Sequence, residues 1–374
     1  MCKPFPKSAQ HVRPKGFSLV ELMVAMALGL VLMAIAFTLF DQLYAVSDLA
    51  GSMADVNDNL RAAANLIARD LSICGSGIPL NGIALPGGGS GTTAATPVNM
   101  PGPGTGLNGG PPPRVFNSGA GGNMAVITPG EGAGPPTQAI LTDVITTIAV
   151  NPLSTLNTIP LTGNITITAT SATITLTSWP TGTSAVTPGQ LIMLQSGSAC
   201  LLAVSAVDPV AKTITFNKPD ATNDPLGLNQ FPNGANGPNA GTCATIGPSG
   251  AAPQASKTTA SHINMVSYYL DNTSTPEKLM RLVGTGAPLT GTPATPSQPA
   301  QPVALGINSL QFTYDLLDGT TVNVATTTTP NNIRKVNLSV TATADHPNRK
   351  TKRYYSNTIN TAVTVQNLAY TNKF

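Results

Sequence analysis

Charge is scarce in this chain of 374 residues: Asp, Glu, Lys and Arg make up 9% of it, against about 25% in a typical soluble domain. Thr, Ser, Asn, Gly and Pro take the surface positions instead, a composition that suits an exported, β-rich protein better than a cytosolic enzyme. Histidine is nearly absent. His262 and His346, the two outside the first sixteen residues, have neither an acid nor a nucleophile at a catalytic spacing, and both read as ordinary surface or core histidines. No CxxC and no paired histidines occur, which removes the usual zinc arrangements. Asp208, Asp220, Asn223 and Asp224 come nearest to a metal cluster. Their spacing is not that of a calcium-binding loop, and they read as an Asn/Asp-rich turn. The glycine-rich runs contain no GxxxxGK followed by Ser or Thr, so they are not phosphate loops. No cofactor is expected. A basic stripe interleaved with aromatics is also missing, which argues against nucleic acid as a partner.

The net charge of +3 is likewise not a property of the whole chain. Lys3, Lys7, Arg13 and Lys15 place four positive charges in the first sixteen residues, which hold no acid; without them the remainder carries −1. What the sequence does have follows at once: an apolar run from Phe17 to Phe40 in which Glu21 is the only ionisable side chain. As a helix it would be about 36 Å long, enough to cross a hydrocarbon core of about 30 Å. A carboxylate five residues into such a segment costs roughly 2.5–3.5 kcal/mol on insertion scales, so it asks for a partner. Basic residues precede the run while Asp41, Asp48, Asp55 and Asp58 follow it, which keeps the N-terminus cytoplasmic and exports the rest. A secretory signal fits poorly, because the run exceeds the usual apolar core of about 7–15 residues and no A-x-A-like site follows. A plain uncleaved anchor explains the hydrophobicity but not Glu21. Cutting between Gly16 and Phe17 would instead create a new amine at Phe17, one helical turn from the Glu21 carboxylate.

The stretch Lys15-Gly16-Phe17-Ser18-Leu19-Val20-Glu21-Leu22-Met23-Val24-Ala25 resembles the class III leader motif of type IV pilins and of type II secretion pseudopilins. Its continuation through Ala27-Leu28-Gly29-Leu30-Val31-Leu32-Met33 is most similar to minor pilins of the pilus-assembly protein W family. A weaker likeness returns in residues 307–315, with the Asp318-Gly319 turn, and in residues 333–340. The resemblance implies that an inner-membrane prepilin peptidase cuts after Gly16, beside Lys15, and N-methylates Phe17. It also implies that Glu21 attracts the Phe17 amine of a neighbouring subunit during fibre assembly. An α-amino group with a pKa near about 7.7–8.0 is largely cationic at pH 7, so the pairing is sound electrostatics. The chain is then a non-enzymatic structural subunit of a type IV pilus. Its expected partners are major and minor pilins, the peptidase, the inner-membrane assembly platform and the membrane, and its final place is the periplasm and the fibre at the cell surface. A minor pseudopilin shares every N-terminal feature, and a membrane-anchored adhesin that never polymerises is the rival from another class. Unlike many major pilins, this chain has no proline between Phe17 and Phe40.

Of the four cysteines, Cys2 leaves with the leader. Cys74, Cys200 and Cys243 allow three single bridges in an oxidising periplasm. Cys200–Cys243 is favoured, since both fall at loop or strand ends of the exported part whereas Cys74 closes a helix.

Beyond the membrane, Val46, Leu49, Met53, Val56, Leu60, Ala63, Ile67 and Leu71 recur at spacings of three and four, the apolar stripe of an amphipathic helix that Gly75, Gly77 and Pro79 stop. Residues 81–138 are dominated by Gly and Pro and read as a long surface loop. Candidate strands follow at 140–150, 164–177 (with a turn or bulge near Thr170-Ser171), 190–194, 199–207, 212–216, 263–270, 278–283, 310–316, 321–325, 334–343 and 354–365. Pro- and Asn-rich insertions at 218–254 and 285–302 separate them, and the basic block Arg349–Arg353 reads as a hairpin tip. The expected fold is α+β: a long N-terminal transmembrane and amphipathic helix packed on an antiparallel β-sheet head, with additional β-rich insertions. The expected divisions are a cleaved leader (1–16), a membrane or fibre-core helix (17–40), an amphipathic extension (41–74), a Gly/Pro-rich loop (75–138) and a β-rich head (139–374). The head has two candidate lobes, 139–216 and 260–374.

Overall fold

Helix-forming residues without an internal proline produce one unbroken helix, Leu19–Ile73, of 55 residues, about 82 Å long. The computed structural model describes residues 16, 18–79, 82–86, 98–99, 123–137, 140–168, 170–181, 185–196, 198–218, 220, 222–230, 258–284, 300–323, 332–365 and 367. The helix divides by burial. Every residue from Leu19 to Tyr44 is exposed, and Ala45 is the first buried one. Farther on, Val56, Leu60, Ala63, Ala64, Ile67 and Leu71 are buried. The expected stripe is thus covered only over its C-terminal part, while Val46 and Met53 stay exposed because the head does not lie over their side chains. Two glycines end the helix for steric reasons. Gly75 and Gly77 have φ of +78° and +72°, and a Cβ there would sit 2.9 Å from Val126 Cγ1 and 2.7 Å from Val150 Cγ2. The chain leaves the helix stitched to strand Val144–Val150, with Gly75 N donating to the Ile148 carbonyl and Val150 N to that of Ser76.

The helix packs on a four-stranded antiparallel sheet at the C-terminus, ordered Thr321–Val322, Ile307–Leu316, Ile333–Pro347, Tyr354–Thr364. Alternation in the two long inner strands turns Leu310, Phe312, Tyr314, Val336, Leu338, Val340 and Ala342 toward the helix stripe, and one core contains them all. The Asp318-Gly319 hairpin turn is present: Asp318 Oδ1 accepts from Thr320 N at 2.9 Å and Gly319 has φ +85°.

A nine-stranded sheet lies beside this unit. Its long central strand, Thr259–Asp271, pairs with Leu191–Ser196 along its first half and with Val144–Val150 and Lys278–Val283 along its second. Strands from both sides of the expected 216/260 division therefore share one sheet. Residues 161–217 contribute a further four-stranded sheet, Ala206–Asp208, Thr213–Asn217, Ser171–Leu176, Leu161–Ile167, whose core includes Ile174, Phe216, Ile192 and Leu202. The reversal expected near Thr170-Ser171 is a hairpin turn in which Thr168 Oγ1 accepts from Ser171 N at 2.9 Å. The stretch read as a surface loop differs from expectation. Ile83–Ala84, Asn123–Met124 and Ile127–Gly130 join the large sheet, and Ile83, Met124, Val126 and Ile127 are buried. Among the described residues of this Gly- and Pro-rich stretch, the apolar side chains complete cores shared with other elements.

One carboxylate ties the two sheets. Asp143 interrupts the expected strand 140–150, leaving Ile140–Leu141 and Val144–Val150. Its backbone N–H donates to the Leu310 carbonyl, and its side chain accepts from Phe312 N at 2.8 Å and Gly132 N at 2.9 Å.

Candidate functional site

The helix start is built by Ser18 and Glu21. Ser18, with extended φ/ψ, is the N-cap: its Oγ accepts from Glu21 N at 3.1 Å, and its own N–H donates to Glu21 Oε2 at 3.3 Å. This reciprocal capping box satisfies two of the backbone donors that a helix start leaves without partners. The pattern Ser18-x-x-Glu21 signals it in the sequence, where Glu21 drew attention only as a charge in an apolar run. The carboxylate therefore has work within its own chain. Oε2 is engaged, and among the described residues Oε1 has no partner.

Gly16 is exposed, and a Cβ there would meet nothing within 4 Å. No contact among the described residues demands glycine at that position. Lys15 and Phe17 lie outside the described residues. The helix that follows is long and apolar enough to cross a membrane, and its apolar window is wholly unburied.

At the other end of the helix, Asp70 locks it to the large sheet. The carboxylate is 4% exposed and accepts from Tyr268 Oη at 2.6 Å and Arg281 Nε at 2.8 Å; Arg281 Nε also donates to Tyr268 Oη at 3.1 Å. Arg69, on the solvent side, reaches Asp70 Oδ1 at 3.4 Å. Burial, then the Asp70 carboxylate, pushes the Tyr268 hydroxyl up. Burial pulls the Arg281 guanidinium down, and the hydrogen bond and charge of Asp70 more than offset this. Sequence reasoning missed the triad. Its one visible signal is that Asp70, three residues after Ile67, is an acid on the buried face.

The remaining candidates have structural roles. His262 lies within strand Thr259–Asp271, its Nδ1 3.5 Å from Asn151 Nδ2, and burial holds its imidazole below the usual range. His346 is the penultimate residue of strand Ile333–Pro347 and faces a cleft of about 420 Å³ that Ser52, Asp55 and Asp58 also line. The acids near residue 220 organise turns. Asp208 Oδ1 accepts from Val210 N and Ala211 N, Asp220 pairs with Asn223, and Asp224 accepts from Leu228 N at 2.9 Å and Asn229 N at 2.6 Å. Burial pushes the Asp224 carboxyl up to about 6, against the pull of the Asn229, Leu228 and Gly227 amides. Cys200 is disulfide-bonded, and Cys74 is a free buried thiol that burial pushes up to about 12. The partner of Cys200 therefore lies outside the described residues, as Cys243 does.

Residues 13–37 match the family model described as the prokaryotic N-terminal methylation motif. No curated protein and no solved structure matches the chain. Proteins carrying this motif are typically structural subunits and not enzymes. The methylation motif and the long exposed helix that continues from it mark this chain as type IV pilin-like, a membrane-anchored, exported prepilin processed by a prepilin peptidase.

Proposed function

We propose that this chain is a minor pilin, similar to the pilus-assembly protein W family, that helps to initiate or assemble a type IV pilus and sits at or near the fibre tip. The carrying observation is the motif at residues 13–37 running directly into a helix whose apolar half is unburied. Cleavage falls after Gly16 and methylation on Phe17, and Glu21 Oε1 meets the Phe17 amine of the adjacent subunit. Lys15 marks the cytoplasmic side of the inner membrane, and the head emerges into the periplasm. Size supports a minor, terminal place. Packed helices stand about 8–10 Å apart, whereas a head of about 300 residues has a radius of gyration near 19 Å. Such heads cannot flank every helix of a fibre, but one fits where neighbours are few. We also propose Cys200–Cys243 as the head's disulfide, since Cys2 departs with the leader.

The test is to purify sheared fibres and the membrane fraction from cells carrying a tagged chain. The expected result is a mature form beginning at methylated Phe17 in both, low occupancy in fibres, and loss of piliation on deletion. Deletion that leaves piliation intact while abolishing protein secretion would overturn the pilus assignment in favour of a secretion pseudopilus. A native chain that still carries Lys15 would overturn processing at Gly16.

A further inference from the structure

We propose that the hairpin tip at residues 348–353 docks on the anionic phospholipid headgroups of the membrane that anchors the chain. This rests on membrane anchoring by the helix, not on the chain's place in a fibre. The tip joins Ile333–Pro347 to Tyr354–Thr364 and carries Arg349, Lys350, Lys352 and Arg353, all exposed. None of the four makes an ion pair with a described acid.

The turn is preformed. Asn348 N donates to the Arg353 carbonyl and Lys352 N to that of Asn348, both at 2.8 Å, while Asn348 Oδ1 accepts from Lys350 N at 2.9 Å and Thr351 N at 3.1 Å. Lys352 adopts a left-handed φ of 54°, a conformation that fixes the direction of its neighbours.

Two hydrogen bonds place the tip relative to the membrane. Asn357 Nδ2 donates to Asn57 Oδ1 at 2.7 Å, and Asn367 Nδ2 to the Cys74 carbonyl at 2.8 Å, so strand Tyr354–Thr364 runs alongside the helix in the same direction. Between those contacts the helix advances about 25 Å and the chain at most about 33 Å, which keeps the strand within about 40° of the helix axis. Traced back from Asn357, the tip descends about 10–15 Å toward the helix N-terminus, level with helix residues 47–50. That is about 10 Å above Asp41, where the apolar run has ended. An extended Arg or Lys side chain covers about 6 Å of this distance, and the headgroup layer rises about 5–8 Å above the hydrocarbon. The cations therefore reach the phosphates.

Two further observations agree. The cleft that Thr343 and His346 line together with Ser52 and Asp55 sets the strand entering the tip beside helix residues 52–55. Tyr354 at 56% and Tyr44 at 68% exposure stand at this level, as interfacial aromatics do.

The test uses the full chain with Cys2→Ser and Thr351→Cys, inserted through its helix into vesicles and labelled with a maleimide; Cys74 is buried and stays silent. With about 30% phosphatidylglycerol, labelling is expected to be about tenfold slower than in pure phosphatidylcholine. About 0.5 M salt should restore the rate, a readout that needs no further variant. Replacing the four cations (Arg349→Glu, Lys350→Glu, Lys352→Glu, Arg353→Glu) should remove the difference between lipids. Equal rates in the two compositions would overturn the proposal. So would protection that follows protein density instead of lipid charge, which would assign the tip to the acidic helix face (Asp41, Asp48, Asp55) of a second copy. Flotation with the vesicles reports anchoring separately: a chain that floats but labels equally refutes the tip alone, whereas one that fails to float refutes the anchor beneath it.

Discussion

Removing the Asp70 carboxylate should free the helix from the large sheet. In Asp70→Ala, the hydroxyl of Tyr268, a residue 1% exposed, loses the acceptor at 2.6 Å, and Arg281 keeps a partly buried charge with no counter-ion at 2.8 Å. Breaking a buried ion pair from one side costs about 3–5 kcal/mol, mostly because the partner is left uncompensated. For a head of this size, about 2 °C of melting temperature per kcal/mol converts that to a fall of about 6–10 °C. Tyr268→Phe keeps the ion pair and removes one charge-assisted hydrogen bond, so it should cost less, about 1.5–3 kcal/mol. The measurement is thermal unfolding of the full chain in detergent micelles by helical circular dichroism, with amide exchange at residues 60–74 as a local readout. Trp179, the only tryptophan, packs in the smaller core and is a poor reporter of this contact. Pairing Asp70→Ala with Arg281→Met should give a coupling energy of about 1–3 kcal/mol. A fall of under about 1 kcal/mol in the single variant, or additive effects in the pair, would mean that the helix is held by apolar packing alone.

Three further outcomes can be checked. Asp224 has a carboxyl pKa of about 6 in the folded head against 3.8 unperturbed, so its contribution is complete below pH 4 and is lost as pH rises through 6; urea titrations should show the wild type losing about 3 kcal/mol over that window relative to Asp224→Asn. Intact-mass analysis after alkylation in denaturant should find one free thiol in the mature chain, Cys74, with Cys200 and Cys243 released only by reduction; a free thiol at either rejects that pairing. At the helix start, Ser18→Ala loses the cap but keeps the charge, Glu21→Gln keeps a capping side chain but loses the charge, and Glu21→Ala loses both. If charge sets register, Ser18→Ala subunits enter fibres and both Glu21 variants stay behind; rescue by Gln would reduce Glu21 to a cap.

The elements that were legible in the sequence are those with a local period. Val56, Leu60, Ala63, Ile67 and Leu71 announced the helix face that the structure buries, and the alternation in residues 334–343 announced the strand on which it lies. Asp70 was not legible in this way: its place on the apolar face hints at burial, but its partners Tyr268 and Arg281 stand 198 and 211 positions away, and nothing local points to them. Ile83 and Met124 escaped for a different reason. Strands of two residues, set among glycines and prolines, are too short to show alternation, and their burial is decided by the sheet they join. Asp143 broke a run that reads as one strand, and only the amides of Phe312 and Gly132 explain why an acid is tolerated there. In the N-terminal region the reading was most complete, since membrane thickness and the cost of a buried charge act on sequence directly.

The exposed half of the helix also limits what could drive the transfer from membrane to fibre that the proposed function requires. From Leu19 to Phe40 every large apolar side chain is exposed in the single chain. At about 1.5–3 kcal/mol for each such side chain buried, covering them is worth tens of kcal/mol, far more than the roughly 2.5–3.5 kcal/mol that Glu21 costs. Lipid supplies that cover as well as neighbouring helices do, because acyl chains are as apolar as leucine. The hydrophobic term therefore holds the subunit out of water but cannot choose between bilayer and fibre. That choice falls to groups whose partners differ in the two settings. Along this segment there is one ionisable candidate: Glu21, whose carboxylate accepts from the Ser18 amide in the lone subunit and, on the proposed assembly, would gain the Phe17 amine of a neighbour.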